Sequence, residues 1–411
     1  MKNLLIIGFT WPEPNSTAAG SRMLQLIELF KKENYNITFA STASKNINSF
    51  NFSSLNIKTI DIELNNSSFD VILKEINPVV VLFDRYLTEE QFGWRIEENC
   101  PKALRILDTE DLHFLRYARH TAYRKNTEVS LKLLTNDIAK REIASIYRCD
   151  LTLIISKFEM ELLTKTFKIN KSLLIYVPFL LNSVNTKLFN SYPSFDQRKN
   201  FISIGNFKHE PNWNAVLYLK QIIWPLIHKE LPNVEMHIYG AYTSEKVKQL
   251  HNKQEGFFIK GWAKDTETVF KNSRVCLAPL QFGAGLKGKL IDSMLYGTPN
   301  VTSQIGAEGM QDKLPWNGFI EDDPTLFAKK AIKLYLDENI WKVVQQNGVN
   351  IIDTCFSKEI FTKKLMKRIQ KIAEKLIVHR ENNFVGSMLL HHKLKSTKYL
   401  SKWIEEKNKP D

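Results

Sequence analysis

Three glycines and two lysines crowd the seven residues Gly283, Ala284, Gly285, Leu286, Lys287, Gly288 and Lys289, immediately ahead of an amphipathic run in QFGAGLKGKLIDSMLYGTP. The stretch follows the apolar segment RVCLAPL, so it reads as the loop from a strand into a helix. A helix start carries unpaired N–H groups and partial positive charge, and glycine lets an anion approach the backbone. Phosphate is the expected guest, with Lys287 and Lys289 adding charge-assisted hydrogen bonds. The plainer alternative is a flexible turn with solvated lysines. A second cluster, Asp108, Glu110, Asp111 and His113 in DTEDLH, also follows an apolar run. Carboxylates or an imidazole there could position a hydroxyl or accept its proton. Asp111 serves equally as the N-cap of the following helix, and Glu110 equally as a solvated residue. The string has no further ligands to complete a metal site, so no metal is expected. Gly20, Ser21 and Arg22 open the first helix and would face the same space, or leave Arg22 on the surface.

The elements that must hold these residues alternate. LLIIGF, NITFAS, IKTIDI, VVVLFD, ALRILD, LTLIIS and LLIYVP are strand-like runs, most of them apolar throughout, as in parallel strands covered on both faces. Helical patterns lie between them, such as Ala18 to Asn34. After the polar break NSYPSFDQRKN the series restarts with FISIG, a helix over Asn212 to Lys229, VEMHIYG, GFFIKG, RVCLAPL and NVTS. The predicted fold is α/β, two doubly wound Rossmann-like domains facing a cleft, with C-terminal helices. The expected bounds are 1–190 for the first domain, 200–355 for the second, and 356–411 for helices and a basic tail that return to the first domain. Open sheets bind ligands beyond the carboxyl ends of their strands, which places both clusters at the cleft. Neither the GxxxxGK[ST] loop of ATPases nor the GxGxxG of nicotinamide enzymes is present.

PLQFGAGLKGKLIDSMLYGTPNVTSQIGAEGM closely resembles the donor-site signature of a subset of family 4 glycosyltransferases with the GT-B fold. SIGNFKHEPNWNAVLYLKQIIWPLIHKELPNVEMHIYG resembles the first βαβ unit of that subset's donor domain. LDTEDLHFLRYAR, DRYLTEEQFG and DLTLIISKFEMELL are similar more loosely, and the likeness covers roughly residues 1 to 375. It implies a nucleoside diphosphate sugar as donor, a hydroxyl acceptor and retention of configuration without a protein nucleophile. It also implies a catalytic Lys289 at the diphosphate, joined by Lys287 or Lys208, with Gly205, Gly283 and Gly285 in the donor site. Gly261 and Trp262 are implied at the base, where packing is the other reading of Trp262. Glu308 is implied at sugar hydroxyls, where a helix cap is the other reading. Two departures stand out. Of the two glutamates many members carry across this loop, the first falls on Ala284 and the second on Asp292, which keeps a plausible ribose contact. Asn206 and Pro211 replace the usual Arg and Lys after the first donor-domain strand. A non-catalytic nucleotide-sugar-binding partner and a nucleotide-sugar epimerase on the same fold are the alternatives.

Bulk properties fit this class. The 411 residues exceed one hydrophobic core. The longest apolar stretch, around Leu173 to Leu181, is far short of the roughly 18 residues a membrane span needs. MKNLLIIGFTWP reads as a first strand, so the mature chain is expected to begin at Met1. Cys100, Cys149, Cys276 and Cys355 are scattered, which suits a reducing cytoplasm better than disulfides or zinc. The net charge is +13, and residues 357–411 hold 14 Lys and Arg against 6 Asp and Glu. No nucleic-acid module accompanies that charge. Beyond the donor, the expected partners are a glycan or lipid-linked acceptor and an anionic membrane surface on the cytoplasmic side. The tail sets Leu390, Leu394, Leu400, Trp403 and Ile404 among lysines. That pattern suits an interfacial helix or docking onto the first domain, while His391 and His392 read as surface residues.

Overall fold

The computed structural model describes residues 2–408, apart from the side chains of 392–394. Expectations for Met1, His392 and Leu394 fall outside these residues. Seven parallel strands form the first sheet in the order β3-β2-β1-β4-β5-β6-β7. They are β1 (Lys2–Gly8), β2 (Tyr35–Ser41), β3 (Lys58–Asp61), β4 (Val80–Asp84), β5 (Leu104–Asp108), β6 (Leu151–Ile154) and β7 (Leu174–Tyr176). The second sheet, also parallel, runs β10-β9-β8-β11-β12-β13. Its strands are β8 (Lys199–Ile204), β9 (Met236–Tyr239), β10 (Phe257–Gly261), β11 (Ser273–Ala278), β12 (Asn300–Thr302) and β13 (Gly318–Ile320). This is the GT-B arrangement of two Rossmann-like domains with added C-terminal helices.

Alternation along β1 explains the layering. Leu4 and Ile6 pack with Met23, Leu26, Ile27 and Phe30 of the helix Ala18–Lys32. Leu5 and Ile7 point the other way, onto Phe69, Leu73, Val81 and Phe83. Both faces are covered, as a parallel sheet requires. In the second domain Val275 and Leu277 of β11 join one core, with Trp224, Phe327 and Trp341. Ala278 belongs to a second core, which also takes Leu290 and Met294 of the helix after the glycine-lysine loop.

Two local details depart from expectation. Strand β13 is three half-buried residues, too short to leave a periodic signal. The helix anticipated at Asn212 begins at Glu210 and is interrupted by a wide π turn over Leu219–Ile223 before resuming at Trp224. Pro225 has no N–H to return to the preceding turn, which loosens there.

The chain then comes back. Leu181 exchanges backbone hydrogen bonds with Phe356 and Lys358 at 2.9 and 2.8 Å. From the helix Lys358–Glu374, the residues Phe361, Leu365, Ile369 and Ile372 enter the same core as Leu4 and Ile6. The final helix, Phe384–Lys407, packs on the helices Arg85–Asn99 and Asp137–Arg148 of the first domain. No described helix is long and apolar enough to cross a membrane.

Candidate functional site

A cavity of about 980 Å³ separates the carboxyl ends of the two sheets. Its wall on the second-domain side is the glycine-lysine loop. Gly285 sits at φ +63, a region glycine adopts without strain, and a Cβ there would lie 2.8 Å from that of Asp111 across the cleft. Its N–H donates to Glu159 Oε1 of the opposite domain at 2.9 Å, so this amide is not offered to an anion as the loop chemistry had suggested. The helix Gly288–Leu295 that follows has no side chain capping its first turn. Its start is therefore open to a guest.

Both lysines reach this wall. Lys287 Nζ lies 2.7 Å from Gly285 O and 3.2 Å from Ala284 O, and Lys289 Nζ lies 2.9 Å from Asn212 Oδ1. Burial brings each ammonium down to a pKa of about 8. A Cβ at Gly205 would stand 2.7 Å from the Asn212 side chain and 3.0 Å from Lys289 Nζ, so only glycine leaves room for the pair. Asn212 was not singled out in the sequence, yet it fixes Lys289 and is itself held by Asn206 O at 3.0 Å. One turn on, burial lifts Asp292 to about 7. Lys208 stands at the rim, exposed, with Nζ 3.7 Å from the Tyr242 ring centroid.

The opposite wall revises several expectations. Asp108 is fully buried and does not line the cavity. It accepts from Arg22 Nη2 at 2.8 Å, and Arg22 also donates to Val177 O and Pro178 O. The pair braces the first domain, which corrects both the catalytic reading of Asp108 and the cleft-facing reading of Arg22. Gly20 lines the cavity, and a Cβ there would come within 2.5 Å of the Glu13 backbone. Asp111 is not the N-cap of the helix His113–Lys125. Glu159 accepts from Leu112 N–H at 3.1 Å, and Glu142 accepts from those of His113 and Phe114 at 3.2 and 3.1 Å. Two buried carboxylates from later in the chain do the capping. Asp111 instead pairs with Arg116. Burial alone would raise its pKa, but Arg116, His113 and His209 hold it at about 2. His113 Nε2 lies 3.5 Å from Asp111 Oδ1. Burial takes its pKa to about 3, so it faces the cavity as a neutral imidazole that can donate or accept a hydrogen bond.

Glu110, on the loop after β5, and Arg85, where β4 passes directly into the helix Arg85–Asn99, stand out by backbone conformation, at φ +63 and +69. Neither is glycine, and such strain concentrates where a side chain must be aimed at a ligand. Both line the cavity. Burial, reinforced by Asp108, pushes Glu110 well above the usual carboxylate range. The sequence points to Arg85 only through its place at the carboxyl end of a strand, because backbone strain leaves no compositional trace.

Contacts across the cleft close it. Arg119 forks onto both oxygens of Glu308 and donates to Gly283 O at 2.8 Å. Glu308 is thereby withdrawn from the cavity lining, contrary to a role at sugar hydroxyls. Trp262, 43% exposed and lining the cavity, donates Nε1–H to Asn15 O at 3.1 Å, so it is neither a core residue nor free. Gly261, at φ +77, ends β10 just outside the lining.

Residues 198–337, which contain the entire lysine wall, match the family model for glycosyl transferases group 1. Over these residues the chain matches the group 1 glycosyltransferases. This glycosyltransferase is 23% identical, over 68% of its length and 73% of the other's, to an uncharacterised 44.6 kDa protein in the cps region of Klebsiella pneumoniae. Among solved structures, sucrose-phosphate synthase from Thermosynechococcus elongatus superposes with a TM-score of 0.68 at 13% identity, covering 90% of this chain and 99% of that one. The pneumococcal O-GlcNAc transferase GtfA, solved with UDP and GlcNAc, gives 0.64 at 13% identity with the same coverages. Alr3699/HepE of Anabaena, solved with UDP and glucose, gives 0.62 at 12%, again covering 90% and 99%. At these identities the structural likeness establishes the GT-B fold of the glycosyltransferase.

Proposed function

We propose that this glycosyltransferase moves a sugar from a nucleoside diphosphate donor to a hydroxyl of a glycan or lipid-linked acceptor in polysaccharide or glycoconjugate assembly, with retention of configuration. The observation that carries this reading is the convergence of Lys287, Lys289 and an uncapped helix start on one wall of the cavity, facing Glu110, Asp111 and His113 on the other. As the anomeric C–O bond breaks, charge grows on the departing diphosphate. The Lys289 ammonium and the N–H dipoles of the helix start are already in place to stabilise it, and Lys287 joins once its Nζ leaves Gly285 O and Ala284 O. The acceptor oxygen forms the new bond to the anomeric carbon, and its proton passes to the leaving phosphate.

On this reading Asp292 meets the ribose, Trp262 the base, and Lys208 joins at the rim. Glu110 and His113 are suited to orient the acceptor hydroxyl. The UDP complexes of GtfA and HepE support a nucleotide-sugar donor, and the capsule-region relative supports polysaccharide synthesis. The reading places the chain on the cytoplasmic side, in keeping with four buried, unpaired cysteines.

A thermal-shift screen over UDP, GDP, ADP, CMP and dTDP sugars tests the donor assignment. One compound should raise the melting temperature and be consumed slowly, with nucleotide released and faster when acceptor glycan is added. A melting shift without any nucleotide release would point instead to a non-catalytic binder. Conversion of the donor alone to its epimer would reassign the chain to epimerisation.

A further inference from the structure

The terminal helix Phe384–Lys407 uses one face to dock and leaves the other uncovered. On the docked face Ser401 is buried, and the Gly386 Cα lies so close to Tyr147 O that a Cβ would come within 2.2 Å of it. Asn383 donates to the same carbonyl at 2.7 Å. Glu405 accepts from Ser67 N–H at 2.8 Å and faces Arg95 at 3.6 Å, and Lys398 pairs with Glu98. Phe384, Met388, Tyr399 and Trp403 fall on the opposite side at helical spacing. Their exposures of 76, 46, 64 and 60% are those of side chains the protein does not cover. Val385 and Leu400 flank them, and Ile377 and Val378 of the preceding helix are exposed as well.

Lys395, Lys402 and Lys407 are exposed on the same helix, and Lys407 Nζ lies 5.3 Å from the Trp403 ring centroid. With Glu405 turned inward, Glu406 is the helix's exposed acid. A row of aromatic and aliphatic side chains bordered by lysines is the chemistry of an interfacial helix. The rings enter the headgroup boundary while the ammonium groups meet lipid phosphates. A second copy of this chain would oppose the same lysines to themselves, and a soluble acidic partner would leave the rings without an apolar phase.

We propose that the outward face of Phe384–Lys407 is a membrane-docking surface that seats the chain on an anionic bilayer. This does not depend on the donor or the acceptor. Full-length protein should co-sediment with vesicles of equimolar phosphatidylglycerol and phosphatidylcholine, bind pure phosphatidylcholine at least tenfold more weakly, and be released by added salt. The triple variant Phe384→Ser, Tyr399→Ser, Trp403→Ser should lose at least tenfold in anionic-vesicle binding while keeping its melting temperature and far-ultraviolet spectrum. The variant Lys395→Ala, Lys402→Ala, Lys407→Ala should lose binding and most of its salt dependence. Undiminished binding by both variants would overturn the proposal. So would failure of the native chain to sediment with anionic vesicles, or a salt-insensitive dimer in sedimentation equilibrium that the aromatic variant abolishes.

Discussion

Arg119 of the first domain places Nη1 and Nη2 at 2.8 and 2.7 Å from the two carboxylate oxygens of Glu308 in the second, a bidentate fork spanning the interdomain cleft. The same guanidinium holds Gly283 O, so domain closure and the shape of the donor loop share one residue. Arg119→Ala and Glu308→Ala should each lower kcat/KM by about tenfold, and small-angle scattering should show a larger radius of gyration. If the two act as one latch, the double variant is no worse than either single. Losses that multiply would mean that Glu308 has a separate contact with donor.

Lys289→Ala should lower kcat/KM for donor by about a hundredfold, the scale of losing one preorganised charge at a developing anion. Asn212→Ala should reproduce part of that loss, because Asn212 aims the ammonium. Lys287→Ala should have a smaller effect, since its Nζ must first leave Gly285 O and Ala284 O. Steady-state kinetics that ignore both lysine substitutions would remove the basis for the donor assignment.

The pH dependence has a definite sign. Donor kcat/KM reports ionisations of the free enzyme. It should fall above about pH 8 as Lys287 and Lys289 discharge, and below about pH 7 as Asp292 takes up a proton. Stability runs the other way for the lysines. Their folded pKa of about 8 lies below the ordinary 10.5, so between these values the unfolded chain binds more protons and the folded state gains as pH rises. Lys287→Met and Lys289→Met should therefore stabilise the ligand-free protein below pH 8, with the gain fading toward pH 10.5. Melting curves across that range give the answer directly, and a gain that grows with pH would contradict it.

Asp108→Ala should destabilise the first domain by roughly 3 to 5 kcal/mol, because it leaves the Arg22 guanidinium charged, buried and unpaired. Activity per folded molecule at low temperature should stay within about tenfold of the parent. A loss of several thousandfold at unchanged stability would restore Asp108 to the chemistry.

Much of the architecture was legible because its signals are local. Uniform apolar runs such as VVVLFD can only be buried strands, and the glycine-lysine loop announced itself by composition. Along the first domain's wall, the pattern misled where partners come from far away. Asp111 reads as a cap because aspartate before a helix usually is one, yet Glu142 and Glu159, which flank β6 in the chain, do that work. Asp108 reads as reactive because it ends a strand, but its fate depends on Arg22, far back in the sequence. Burial and pairing are tertiary facts, and no spacing rule contains them. Arg85 and Glu110 belong to the same category, since a strained φ is imposed by the surrounding fold.

Phe361, Leu365, Ile369 and Ile372 complete a core whose first members are Leu4 and Ile6. During synthesis the first domain emerges early but stays unsealed on one side until the helix Lys358–Glu374 has left the ribosome. A product truncated before the helix Lys358–Glu374 therefore exposes an apolar gap on its oldest part.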